Sequence, residues 1–204
     1  MDATTLFRLM HSQNLNCLSM FYKHVSIAIR DVAKEIDDWD DLDKPNKTWW
    51  KAEFENHYPQ KILDTTFLLM FGHLEEMLVL LHKSFNPKKA GIDPRETSIK
   101  KFKPYIKSLL GDHLKDYQYL IEAHTIRNSL IHCAGRVDLM SDSAKVEKVL
   151  SRNPECFGTY NKRVFVKIGG LSKMQKSIHK MTEELLNKSI QLTAKNQRGR
   201  YPLI

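Results

Sequence analysis

A chain of 204 residues, 42% hydrophobic and 27% charged, is long enough to bury one substantial core and too apolar to be a disordered polymer. Its net charge of +8 is uneven, with 7 basic against 10 acidic side chains in residues 1–60 and 25 against 14 in residues 61–204, so the body of the chain suits a polyanion such as nucleic acid. Three separated cysteines, Cys17, Cys133 and Cys156, exclude a disulfide framework and fit a reducing, cytoplasmic setting.

The first residues lack the basic segment and apolar run of a secretion signal. From Leu18 the apolar positions Phe21, Val25, Ile29, Val32 and Ile36 are spaced by threes and fours, predicting a long amphipathic helix. The acidic run from Asp37 to Pro45 predicts a loop. A short helical segment around Trp49 to His57 leads past Pro59 into a second long helix, roughly residues 61–85, whose core face is Phe67, Phe71, Leu74, Leu78, Leu81 and Phe85. Glu75 and Glu76 within it argue for a core helix rather than a membrane span. Trp49, Trp50 and Tyr58 are expected to pack.

Two prolines and a glycine make residues 86–94 a connector. A basic segment with Lys100, Lys101, Lys103 and Lys107 follows, Pro104 fitting a first helical turn and Asp112 an N-cap for the next helix. Beyond Gly135, residues 145–150 predict a short helix. The alternation from Arg163 to Ile168 predicts a strand paired near Cys156 and Phe157, a hairpin spanning about 154–168 that Gly169 and Gly170 close. The last helix carries the stripe Leu171, Met174, Ile178, Met181 and Leu185. The fold class is therefore mainly all-α: one domain over residues 1–204, an up-and-down helical bundle with a small strand-containing insertion before the last helix.

The helix from about Asp112 breaks the rule that a core face is apolar. Its stripe runs Leu114, Tyr117, Ile121, His124, Asn128, His132, so the apolar half continues as a polar row. At about 100° per residue, Arg127, His124, Asn128 and His132 share one side of the helix. A guanidinium gives phosphate oxygens a planar fork of donors, and an imidazole with an ordinary pKa of about 6.5 exchanges protons near neutrality. In RNA the neighbouring 2′-hydroxyl supplies the nucleophile, so this chemistry calls for no metal and no cofactor. The chain has no H-E-x-x-H, no G-x-S-x-G elbow and no glycine-rich phosphate cradle.

The run Arg127-Asn128-Ser129-Leu130-Ile131-His132 resembles the Arg-Asn-x-x-x-His form of the HEPN superfamily signature, and Glu122 matches a frequent acidic position of that family. The likeness is sharp from Glu122 to Gly135 and architectural elsewhere. It implies a helical domain that forms a homodimer with the active site at or near the interface, and a metal-independent endoribonuclease leaving a 2′,3′-cyclic phosphate, as in toxin-antitoxin or antiviral defence systems with a partner protein. Carried over, His132 is the general acid or base, Arg127 holds the scissile phosphate, and Asn128 orients the pair. Arg136, Lys100, Lys101, Lys103 and Lys107 are the RNA-binding candidates. Glu122 and His124 are supporting residues, Glu122 through packing or a salt bridge with an arginine and His124 through the core. The resemblance also admits a non-catalytic dimerisation or RNA-binding module. Relatives neutralised by modification carry a tyrosine two residues after the histidine; Ala134 stands there instead.

Overall fold

The computed structural model describes residues 2–111 and 115–198. It is an all-α helical bundle with a two-stranded antiparallel insertion before the last helix. The N-cap expected at Asp112 lies outside the described residues.

Helix α1 spans Ala3–Glu35, opened by Asp2, whose carboxylate accepts from the Thr5 N–H and hydroxyl. It begins well before Leu18, and its buried line differs from the apolar stripe: Phe7, His11, Leu15, Ser26 and Ala33 are buried, whereas Phe21 is 41% exposed. Periodicity alone passes over a line that includes His, Ser and Ala. A tight turn at Ile36–Asp38 then leads to α2, Lys44–Ala52, capped by Asp43.

Pro59 does not separate α2 from α3, Tyr58–Ser84. Proline has no N–H to offer the carbonyl four residues back, and the chain absorbs that defect in a wider π-turn at Glu53–His57, where the Tyr58 N–H bonds the Glu53 carbonyl. An aromatic chain, Trp39–Phe54 with Trp50 and Tyr58 around Phe54, braces this turn, and Trp49 packs edge-on against Trp50 at 4.7 Å between centroids while staying 53% exposed. Helix α3 is the centre of the bundle, with Phe67, Phe71, Leu74, Leu78 and Leu81 fully buried and contacts to α1, α7 and the later helix and strand.

Residues 86–94 form the expected connector, a 3₁₀ turn at Ser98–Phe102 leads into α4, Lys103–Leu110, and α5 spans Lys115–His132. Helix α6 covers Ser143–Arg152. Strands β1, Phe157–Tyr160, and β2, Arg163–Val166, pair as Phe157 with Val166 and Tyr160 with Arg163. Asn161 and Lys162, both at positive φ, make the two-residue turn between them. Helix α7, Ile168–Arg198, buries Leu171, Met174, Ile178, Met181 and Leu185 as its stripe predicts. Gly169 and Gly170 lie in its first turn rather than ending the strand; a side chain on Gly170 would run into the Cys156 carbonyl, so glycine lets the hairpin dock there. Among the described residues, no helix is long and apolar enough to cross a membrane.

Candidate functional site

Helix α5 packs against α7, α6, α3 and β2, and Tyr117, Tyr119, Leu120, Ala123 and Ile126 bury different sides of its first turns. Gln118 is exposed near its start, and a second side emerges towards its C-terminus. Arg127 and Asn128 are half-buried there, and Ile131 and His132 are exposed. The helix ends in a tight cap: Gly135, at φ 78°, donates its N–H to the Ser129 carbonyl at 2.9 Å. A Cβ on Gly135 would sit 2.9 Å from the Val164 carbonyl, so the cap also sets the approach of β2.

Within the row, an Arg127 Nη1–H donates to Asn128 Oδ1 at 3.0 Å. Adjacent residues on a helix do not face one another, and the long arginine reaches across to make this bond. It occupies one lone pair of the Asn128 Oδ1 and leaves the amide N–H groups and the rest of the guanidinium as donors. His132 makes no hydrogen bond among the described residues, so its ring nitrogens are open to a ligand. The result is a half-buried pair of donors leading to an exposed imidazole.

His124 belongs to the floor rather than the face. It is 3% exposed and tilted against Phe71, with ring centroids 6.1 Å apart. Burial, then the charges of Lys100, Arg127 and Lys145, push its pKa down to about 4, keeping it neutral under ordinary conditions. Those three cations come from the turn before α4, from α5 and from α6, so the fold gathers positive charge on this side of α5. Lys145 was not legible in the sequence as belonging to this group: it is an unremarkable lysine on a short helix, and only tertiary packing brings its charge within reach of His124.

The other candidates separate. Lys101 lies over the Phe102 ring at 5.1 Å, and Lys103 and Lys107 are exposed on α4. The Arg136 guanidinium is taken by Asp138 in a two-bond pair at 2.7 and 2.6 Å, a pairing that holds the Asp138 carboxyl down at about 2. Glu122 turns away from the row: its carboxylate accepts from Arg152 at 3.1 Å, from Asn153 at 2.9 Å and from Gln118. Its role is thus a clasp between α5 and the end of α6, with Arg152 as the arginine it meets. The cysteines are all free. Compared with known proteins, the chain matches no family model, no curated protein and no solved structure.

Proposed function

We propose that the protein is a metal-independent endoribonuclease of HEPN type, working as a homodimer. The observation that carries the reading is the row itself: half-buried Arg127 bonded to half-buried Asn128, and His132 exposed on the same side of one helix without a hydrogen-bonded partner among the described residues. In the proposed mechanism the Arg127 guanidinium and the Asn128 amide hold the non-bridging oxygens of the scissile phosphate and offset charge that builds on them. His132 removes the proton of the 2′-hydroxyl or returns one to the departing 5′-oxygen; a second copy supplies the imidazole for the other transfer. The 2′-oxygen bonds to phosphorus, the bond from phosphorus to the 5′-oxygen breaks, and the products are a 2′,3′-cyclic phosphate and a 5′-hydroxyl.

Two further features support it. Lys100, Arg127 and Lys145 are all close enough to His124 to lower its pKa, so positive charge gathers around this part of α5, as suits a polyanion. Ile131 and Leu139, exposed at 46% and 64%, border the row, so a second copy covering this end would bury apolar surface. The test is incubation of the purified protein with mixed RNA in EDTA. The wild-type protein is expected to cut, and His132→Ala and Arg127→Ala to lose activity by about 10²–10⁴-fold. Full cutting by both variants would remove the mechanism.

A further inference from the structure

A cavity of about 670 Å³ opens on the opposite flank of the end of α5, between the start of α3 and the β-hairpin. Its volume is in the range of small-molecule sites. Leu130 on α5 and Ala134 in the turn just after it, two residues either side of His132, form its wall on this side. The cavity and the imidazole are thus about one helix width apart, on the order of 10 Å.

The lining has the parts of a base-recognition site. Tyr58 and Tyr160 offer aromatic surface, Tyr160 being 72% exposed at the hairpin tip. Lys61 and Arg163 are exposed cations at the same opening. Arg163 is fixed there, donating to the Ala134 carbonyl at 2.8 Å, which ties the hairpin to the end of α5. Asp64 is the specific element. Its Oδ1 accepts the Val166 N–H at 2.9 Å and the Gln60 amide at 3.0 Å, whereas Oδ2 makes no hydrogen bond among the described residues. A half-buried carboxylate that lines the cavity, with one oxygen committed to the scaffold and the other unbonded among the described residues, presents an acceptor without a donor.

We infer that this cavity receives a single-stranded RNA nucleotide, its base stacked on Tyr160, its phosphate near Arg163 and Lys61, and its exocyclic amino group bonded to Asp64 Oδ2. Aromatic rings stack any base, by about 1–3 kcal/mol, so Tyr160 gives affinity without choice. Carboxylates accept from base amino groups, as from N4 of cytosine, and an acceptor facing O4 of uracil finds no donor. The subsite therefore favours cytosine, adenine or guanine over uracil. It rests on the ribonuclease reading for the source of the nucleotide, a strand whose scissile phosphate lies on the Arg127 row.

The test uses the full-length protein disarmed by His132→Ala, titrated separately with AMP, CMP, GMP and UMP by calorimetry or NMR. Saturable binding of the three amino-bearing nucleotides, at least fivefold tighter than UMP, is expected. Tyr160→Ala, at an exposed position, should weaken all of them. Asp64→Asn keeps Oδ1 for Val166 and Gln60 and puts an amide donor in place of Oδ2, so it should reverse the order in favour of UMP. An unchanged order in Asp64→Asn, or no saturable binding by any nucleotide, would overturn the subsite. Binding is read apart from cleavage: a wild-type protein that binds nucleotides in this order but cuts no RNA keeps the subsite and loses the ribonuclease, and cutting without mononucleotide binding does the reverse.

Discussion

At the scale of the residue, what distinguishes His132 from His124 is solvent. They lie on one side of one helix, yet the first is exposed without a bonded partner among the described residues and the second is buried under Phe71 with its pKa at about 4. His132→Ala should therefore remove cleavage while leaving the thermal midpoint within a few degrees of wild type, since an exposed side chain contributes roughly 0.5 kcal/mol or less. Asn128→Ala should lower activity less than Arg127→Ala does, because it frees the guanidinium from its partner without removing the charge; the measurement is kcat/KM on one RNA. Sequence spacing put Arg127, Asn128 and His132 together, since helical geometry is legible at that range. It also assigned His124 to the core and His132 to the site, as the burial of the one and the exposure of the other have it; what spacing did not show is that Phe71 of α3 covers His124.

At the scale of the element, the bundle is joined by a buried polar link that periodicity did not show. His11 on α1 bonds His73 on α3 at 3.0 Å and Thr182 on α7 at 2.7 Å, with His179 stacked on it. Thr182 gives its own proton to the Ile178 carbonyl, so the network assigns an Nε2–H donor to His11 and another to His73. A proton on His11 Nδ1 would face the His73 donor. Burial, followed by the neighbouring His73 and His179, pushes His11 down to about 4, and burial lowers His73 as well, against the pull of Glu76. The unfolded chain binds these protons near pH 6.5 and the folded chain does not, so stability is complete above about 6.5 and is lost as pH falls towards 4. On the order of 2 kcal/mol should be lost at pH 5 for each of His11 and His124, seen as a lower urea midpoint than at pH 7. The Gly135 cap is a second junction: Gly135→Ala forces a positive φ on alanine and presses Cβ towards Val164, and should cost about 1–3 kcal/mol in urea unfolding. The sequence marked Gly135 as an ending and the hairpin as an insertion; their contact is tertiary and left no local signal.

At the scale of the whole molecule, charge and assembly decide how RNA would reach the row. The basic excess of residues 61–204 converges in part on Lys100, Arg127 and Lys145, whereas Arg136 is bound to Asp138, so fewer phosphates are met than the lysine count implies. With about three phosphates neutralised, the logarithm of the affinity for single-stranded RNA should fall with a slope of about −2 against the logarithm of salt concentration, and Lys145→Ala should flatten it. The core stripes of α3 and α7 were legible because large apolar residues repeat at helical spacing; the phase of α1 was not, because it buries His11, Ser26 and Ala33 and exposes Phe21. The central claim is that the row on α5 cuts RNA through its 2′-hydroxyl without a metal, and the most direct test is the chemistry of the cut ends made in EDTA. The account predicts 2′,3′-cyclic phosphate and 5′-hydroxyl termini that disappear with His132→Ala. Ends bearing a 5′-phosphate, or cyclic ends made equally well by His132→Ala, would contradict it.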